Sequence, residues 1–343
     1  MPSTRRISAA SAIARRITAV TLLSMAMLAA CSRTSPDKTT SDTATKASAS
    51  ASIVARPTTV PPATVGPIDL TDDLGAAVHL QAPAKRIVSL IPSATETLMA
   101  IGASGEIIGR TRYDTASAVA SVTSVGGGID PSIETIVGLK PDLVIAWASD
   151  KRATLRERLT AAGVQTFVMS TEDTTDIFRN LKNLGALTGR DSAATAVATA
   201  VRATLDTVRT SVAGKPSPSV MYVVFPDPPM TAGPKTFIGQ LLALAGGRSI
   251  FPTSDKNWPN VAMEEIVKRD PDLVIVPVGE FKNSALDRFR KLSGWKDLRA
   301  VKAGHVVSVS SDLLSRPSPA IAQAALALRA AVHPEFSDSA KAK

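Results

Sequence analysis

One segment of this chain is written twice. Residues 132–145 read SIETIVGLKPDLVI and residues 262–275 read AMEEIVKRDPDLVI, an offset of 130 with eight of fourteen positions identical. Each copy predicts a short helix that ends ahead of its proline, then a strand whose unbroken Leu-Val-Ile run suits a sheet covered on both faces. At 343 residues the chain exceeds one ordinary domain, so the repetition predicts two lobes of one α/β plan. Between the copies, residues 175–213 predict two helices parted by Thr188-Gly189-Arg190. The second, residues 192–212, has apolar residues at helical spacing and neither Gly nor Pro. At 1.5 Å per residue it measures about 31 Å, a stiff rod from one lobe to the other. The predicted fold class is therefore α/β: two Rossmann-like lobes, each a parallel-type sheet flanked by helices, joined by one long rigid helix. The lobes take residues 67–173 and 215–334, the connecting helices 174–214, and a tail 335–343. Residues 68–80 predict a hairpin and residues 86–90 a strand, after which Ser93 or Thr95 caps a helix over 97–101.

The first thirty residues predict an address. Arg5, Arg6, Arg15 and Arg16 precede an apolar stretch at 17–30, long enough for a signal-peptide core and short for a membrane span. The stretch ends Leu28-Ala29-Ala30-Cys31, which resembles the bacterial lipobox, and Cys31 is the only cysteine in the chain. That resemblance implies cleavage before Cys31 and lipidation of it, hence an exported protein anchored to a membrane of the cell envelope. No intrachain disulfide is possible. Residues 31–66 are rich in Ser, Thr, Ala and Pro without aromatics, a composition that predicts a flexible tether. Much of the formal charge of +9 sits in the address; without those four arginines the balance is 35 basic to 30 acidic residues. With no run of cations left, nucleic acid is not an expected partner.

Most enzyme signatures are missing: no Gly-x-Ser-x-Gly, no phosphate-cradling loop ending in Lys-Ser/Thr, and no His-Glu-x-x-His. Three isolated histidines, His79, His305 and His333, read as surface or edge residues and no metal site is expected. The remaining candidates are loops at the carboxyl ends of strands, where α/β lobes hold ligands. In the first lobe these are Pro92-Ser93-Ala94, Arg112-Tyr113-Asp114, residues 126–130 and Trp147-Ala148-Ser149. In the second they are residues 226–231, Asn257-Trp258-Pro259 and residues 311–316. Only 4% of the chain is aromatic, yet two of its three tryptophans and one of its two tyrosines fall in these loops. On facing lobes they predict a cleft for a large, flat, partly apolar ligand.

The blocks RIVSLIPSATETLMAIGASGEIIGRT, SIETIVGLKPDLVIAW, DPPMTAGPKTFIGQLLALAGGRSIF, WPNVAMEEIV and SDLLSRPSPAI follow in order across residues 68–332. In that order they resemble the helical-backbone substrate-binding proteins of ABC importers for metal chelates, nearest to the cobalamin-binding members. The resemblance implies a non-enzymatic, monomeric binder without a resident cofactor. It would take cobalamin or another corrinoid between its lobes and hand it to a permease dimer with its ATPase subunits. Tyr113, Trp147 and Trp258 would line the corrin ring, with Met230 where such binders carry an aromatic. Asp312 and Arg316 would hydrogen-bond its amide side chains or nucleotide tail. Pro92, Ser93 and Ala94 would let backbone approach it. Gly126-Gly127-Gly128 stand where these binders have a further aromatic. Glu134 and Glu264, the same glutamate in both copies, would dock onto arginines of the two permease subunits. Haem or a ferric siderophore is the alternative cargo, with Tyr113 as an axial oxygen ligand of haem. A cell-envelope enzyme using Asp130, Asp142 or Asp312 as acid or base is the remaining alternative. In that comparison Asp142, recurring as Asp272, reads as a turn cap.

Overall fold

The structure, a computed structural model, describes residues 66–148, 152–278 and 285–336, which belong to one compact unit. The signal segment, Cys31 and nearly all of the tether lie outside the described residues, as do Ser149 and the end of the tail.

The chain enters through an antiparallel hairpin of β1 (Ile68–Thr71) and β2 (Ala77–Leu80). The first sheet follows: β3 (Ile87–Ser89), β4 (Ile107–Arg110), β5 (Thr123–Ser124), β6 (Leu143–Trp147) and β7 (Gln165–Met169). Its order is β5-β4-β3-β6-β7 and every pairing is parallel. The second lobe has β8 (Ser219–Tyr222), a two-residue hairpin of β9 (Phe225–Pro226) and β10 (Pro229–Met230), then β11 (Arg248–Ser249), β12 (Leu273–Val278) and β13 (Val306–Ser310). Its main sheet runs β11-β8-β12-β13, again all parallel. Leaving aside the edge strand β5, both sheets place their strands second, first, third, fourth. Each therefore reverses direction between its first and third strands, the point where open α/β sheets form a crevice.

Helices of the first lobe are α1 (Pro92–Ala100), α2 (Ile133–Gly138) and α3 (Arg152–Ala161). Two longer ones cross between the lobes, α4 (Thr174–Thr188) and α5 (Asp191–Ser211). The second lobe adds α6 (Phe237–Leu244), α7 (Met263–Arg269), α8 (Ala285–Phe289), α9 (Arg299–Ala303), α10 (Ser311–Leu314) and α11 (Ile321–Val332). Each sheet has buried apolar clusters on both faces, which is why its central strands are apolar without alternation.

The two copies of the repeat fold alike. Each is a short helix, α2 or α7, leading to a third strand, β6 or β12. Lys140 (φ 50°) and Asp270 (φ 37°) are the only non-glycine residues with positive φ among the described residues. They lie 130 apart, each directly ahead of a proline, whose ring bars the right-handed helical conformation there. The next residue has a role beyond the turn cap expected of it. Asp142 accepts the backbone N–H groups of Lys85 (2.9 Å) and Arg86 (3.1 Å), and Asp272 accepts the N–H (2.9 Å) and hydroxyl (2.7 Å) of Ser219. Each carboxylate thus ties the third strand's entry to the first strand's. Hydrogen bonds from Ser219, side chain first, hold the Asp272 carboxyl below the ordinary aspartate range.

Helix α5 spans the same 21 residues in length as predicted, one residue earlier. Its buried positions Ala194, Ala198, Val201, Leu205 and Val208 recur at 4, 3, 4 and 3 residues, one stripe along the helix. The first two join the core of the first lobe and the last three that of the second.

Two local expectations are corrected. The helix after β3 begins at Pro92, not at Thr97, and neither Ser93 nor Thr95 caps it. Proline at the first helical position needs no N–H partner and its fixed φ starts the helix unaided. His333 is buried at the end of α11, and burial lowers its pKa.

Candidate functional site

Two adjoining cavities open at the carboxyl ends of the strands. The larger, about 510 Å³, is walled by Trp147 at the end of β6, Tyr222 at the end of β8, Phe225 in β9, Pro277 in β12 and Ser311 following β13. The smaller, about 200 Å³, is walled by Leu90 and Ile91 after β3, by Pro92 and Ser93 of α1, and by Arg316. Trp147, Thr171, Ser315 and Pro317 belong to both, so residues of the two lobes enclose one continuous crevice.

Its walls hold apolar surface that folding left uncovered. Ile129 is 77% exposed, Phe225 57%, Trp258 39% and Trp147 37%, and all four line these cavities. Contiguous exposed apolar groups of this size mark a binding surface. Ser93 is buried and lines the smaller cavity, yet its hydroxyl has no hydrogen-bond partner among the described residues. The opening backbone of the triple glycine also contributes. A Cβ on Gly128 would stand 2.6 Å from the Leu90 carbonyl oxygen, and Gly126 takes φ +100°. At this wall the Leu90 carbonyl, just after β3, leaves no room for a side chain at Gly128, which suits the glycine that stands where the resembled binders carry an aromatic.

Of the residues singled out from sequence, Trp147, Trp258 and Met230 meet in the larger cavity; Pro92, Ser93 and Arg316 meet in the smaller, beside Trp147. Ala94 is fully buried in the core of the first lobe. Tyr113 is 57% exposed and lines neither cavity, its ring under the Arg112 guanidinium at 5.5 Å. Asp312 is largely exposed and pairs with Arg316 at 3.1 Å. Sequence reasoning missed Phe225, and it named the loop 126–130 without singling out Ile129 in it. Phe225 ends the apolar run that opens at Val220 and overshoots its strand, a signal that was readable.

The charges near the crevice are committed to partners. Arg112 donates to both oxygens of Asp130 (2.9 and 2.8 Å) and lowers that carboxyl's pKa. Arg316 donates to Glu96 of α1 at 2.9 Å, a partner from the opposite lobe. With Asp142 tied to β3, each carboxylate weighed as an acid or base already holds a structural partner. Burial pushes the Tyr222 phenol pKa up, so this phenol stays neutral. Among the described residues no three His, Cys, Asp or Glu side chains group as a metal site.

Glu134 and Glu264 are both exposed, in the first turns of α2 and α7. Glu265 differs from its counterpart Thr135 and pairs along its own helix with Arg269 at 3.3 Å. Among the described residues no helix is long and apolar enough to cross a membrane.

Comparison with known proteins meets this geometry. The sequence profile of a family described as periplasmic binding protein matches residues 87–313. A cobalamin-binding protein of Halobacterium salinarum is 30% identical over 277 residues, covering 78% of this chain and 74% of that one. A solved structure from Staphylococcus epidermidis, described as a possible iron-binding periplasmic solute-binding protein, superposes with a TM-score of 0.65 at 27% identity. The match covers 73% of this chain and 99% of that one. The periplasmic vitamin B12 binding protein of Vibrio cholerae gives a TM-score of 0.62 at 24% identity, over 76% and 99% of the two chains, a likeness of fold.

Proposed function

The chain belongs to the periplasmic binding protein family, and on that premise we propose that it is the substrate-binding lipoprotein of an ABC importer whose cargo is a corrinoid. The observation that carries this reading is the pair Trp147 and Trp258, from opposite lobes, both more than a third exposed in a single cavity of about 510 Å³. Indole faces left uncovered on opposing walls suit a broad ring system, which they would contact at low entropic cost. The name of the Halobacterium relative supports the same cargo. Lipidation at Cys31 would hold the protein at the envelope, and the tether would let the two lobes reach a permease. Glu134 and Glu264 would present one acid from each lobe to that permease dimer. In this role the protein changes no bond of its cargo.

Haem is the competing cargo, but the tyrosine suited to ligate it, Tyr113, stands outside both cavities. The experiment is calorimetric titration of the purified protein with cyanocobalamin, with dicyanocobinamide and with haem in separate runs, each accompanied by a visible spectrum. Sub-micromolar corrinoid binding without a Soret shift for haem is expected. Haem binding with silence toward both corrinoids refutes the corrinoid assignment.

A further inference from the structure

The lobes also meet at a polar knot that no motif signals. Glu96 lies in the second turn of α1 in the first lobe. Its Oε1 accepts Arg316 Nη1 at 2.9 Å, and its Oε2 accepts the Ser318 hydroxyl at 2.6 Å. Both donors come from the second lobe, just after α10, so the second lobe takes both carboxylate oxygens. Arg316 Nη2 reaches across to the Tyr113 carbonyl at 3.3 Å and rests against Asp312 at 3.1 Å. The knot is shielded: the Arg316 and Glu96 side chains are 18% and 21% exposed and Ser318 is fully buried. It borders the smaller cavity, which Arg316 lines.

We infer that Glu96 is a positioning residue: it clasps Arg316 and Ser318 so that the lobes of the unloaded protein stay together, and the clasp releases to admit cargo. Three observations lead there. The adjoining cavities, about 510 and 200 Å³, together give room for a drug-sized ligand, whereas a corrin ring with its appended side chains is larger, so the walls must part for loading. The parting cannot come from α5, whose buried stripe belongs to both cores. Among the described residues, other polar contacts between the lobes, the Asn257 amide to Glu172 at 2.8 Å, the Phe237 N–H to the Glu172 carbonyl at 2.8 Å and the Thr174 N–H to Gln240 at 3.1 Å, sit where the chain itself crosses into α4. Covalent continuity keeps that side together. Glu96 and Arg316 have no such link, being 220 residues apart. This knot, with the Arg316 contacts to the Tyr113 carbonyl (3.3 Å) and the Thr115 hydroxyl (3.4 Å) beside it, is free to open, and closing it draws one lobe onto the other. A shielded but not sealed pair biases such an equilibrium by up to about fivefold without locking it.

The importance of the clasp for uptake rests on the proposed capture function; the clasp itself is testable without any cargo. Spin labels are placed on Ser121→Cys in the first lobe and Lys302→Cys in the second, with Cys31→Ser removing the native thiol. Their separation is measured by double electron–electron resonance in the unloaded protein. Glu96→Gln, close to isosteric, is expected to lengthen and broaden the distance distribution while leaving Tm nearly unchanged. Cyanocobalamin should then associate roughly fivefold faster, since more of the protein is open at any moment. The charge swap Glu96→Arg with Arg316→Glu should restore the wild-type distribution, which a mere packing role for either side chain would not allow. An unchanged distribution in Glu96→Gln overturns the clasp, as does a swap that stays open. Failure of the wild type to bind any corrinoid, with the distances still responding to Glu96→Gln, refutes the cargo and upholds the clasp.

Discussion

Replacing Trp147 with alanine removes an indole that is 37% exposed in the larger cavity. A tryptophan side chain offers about 250 Å², so roughly 90 Å² of it is available for cargo to cover. At about 25 cal/mol per Å² that contact contributes about 2.3 kcal/mol if fully covered. At 1.4 kcal/mol per tenfold change, truncation should weaken binding roughly 50-fold, or about 7-fold if the cargo covers half the exposed face. Trp258, 39% exposed, should behave alike. Cargo sandwiched between the two indoles predicts a double variant weaker than either single one. The assay is calorimetric titration with cyanocobalamin, after circular dichroism confirms that each variant is folded. Trp295 is an internal control for probe signals: it is buried, donates Nε1–H to the Pro226 carbonyl at 3.0 Å, and should stay spectroscopically silent on titration. Folded single variants that each bind within about twofold of wild type would refute the reasoning, because uncovered apolar area could not then be what holds the ligand.

Glu134→Ala with Glu264→Ala should reduce uptake of labelled cobalamin by whole cells several-fold while leaving its affinity for the purified protein unchanged. Unchanged uptake would remove both residues from the docking surface. Asp272→Ala should lower stability by about 1–3 kcal/mol, since the Ser219 N–H and hydroxyl lose their acceptor, as read by urea unfolding. Because the folded-state pKa of Asp272 is lowered, its contribution is present above the ordinary aspartate range and lost as pH falls through the folded value. The gap between wild type and variant should therefore narrow on acidification, and a gap that widens would contradict the assignment.

What could be read from sequence was what repeats locally. The 130-residue offset, the two Pro-Asp turns and the uninterrupted helix between them each leave a pattern within a window of about twenty residues, and each is found in the structure. Cleft aromatics were readable for a different reason: in a chain with so few, a tryptophan after a buried strand stands out. The start of α1 was misplaced because Ser93 and Thr95 look like caps, when Pro92 settles the helix by its backbone alone. Arg316 illustrates the deeper limit. Its sequence neighbourhood suggested donors free for a ligand, but its partner Glu96 lies 220 residues away on the other lobe, and no local pattern encodes that encounter. Gly128 shows the same limit from the opposite side, for the Leu90 carbonyl that excludes a side chain there comes from another strand's end.

The connecting helices explain why opening must be small. In α5, Ala194 and Ala198 pack into the first lobe and Val201, Leu205 and Val208 into the second. In α4 the order is reversed, Ile177 packing with the second lobe and Leu181, Leu184 and Leu187 with the first. Each helix is thus held by both cores. Bending α5 near its middle would pull Ala198 or Val201 out of close packing and break helical hydrogen bonds, with neither Gly nor Pro to absorb the turn. Withdrawing even one aliphatic side chain from a core costs about 2 kcal/mol or more. Exchanging a partly exposed ion pair such as Glu96–Arg316 for water costs about 1 kcal/mol or less. Motion follows the smaller cost, so the lobes should part by releasing polar contacts at the crevice while both helices stay intact. The architecture then favours a cargo broad enough to be gripped from both sides after a small displacement, as a flat ring held between Trp147 and Trp258 would be.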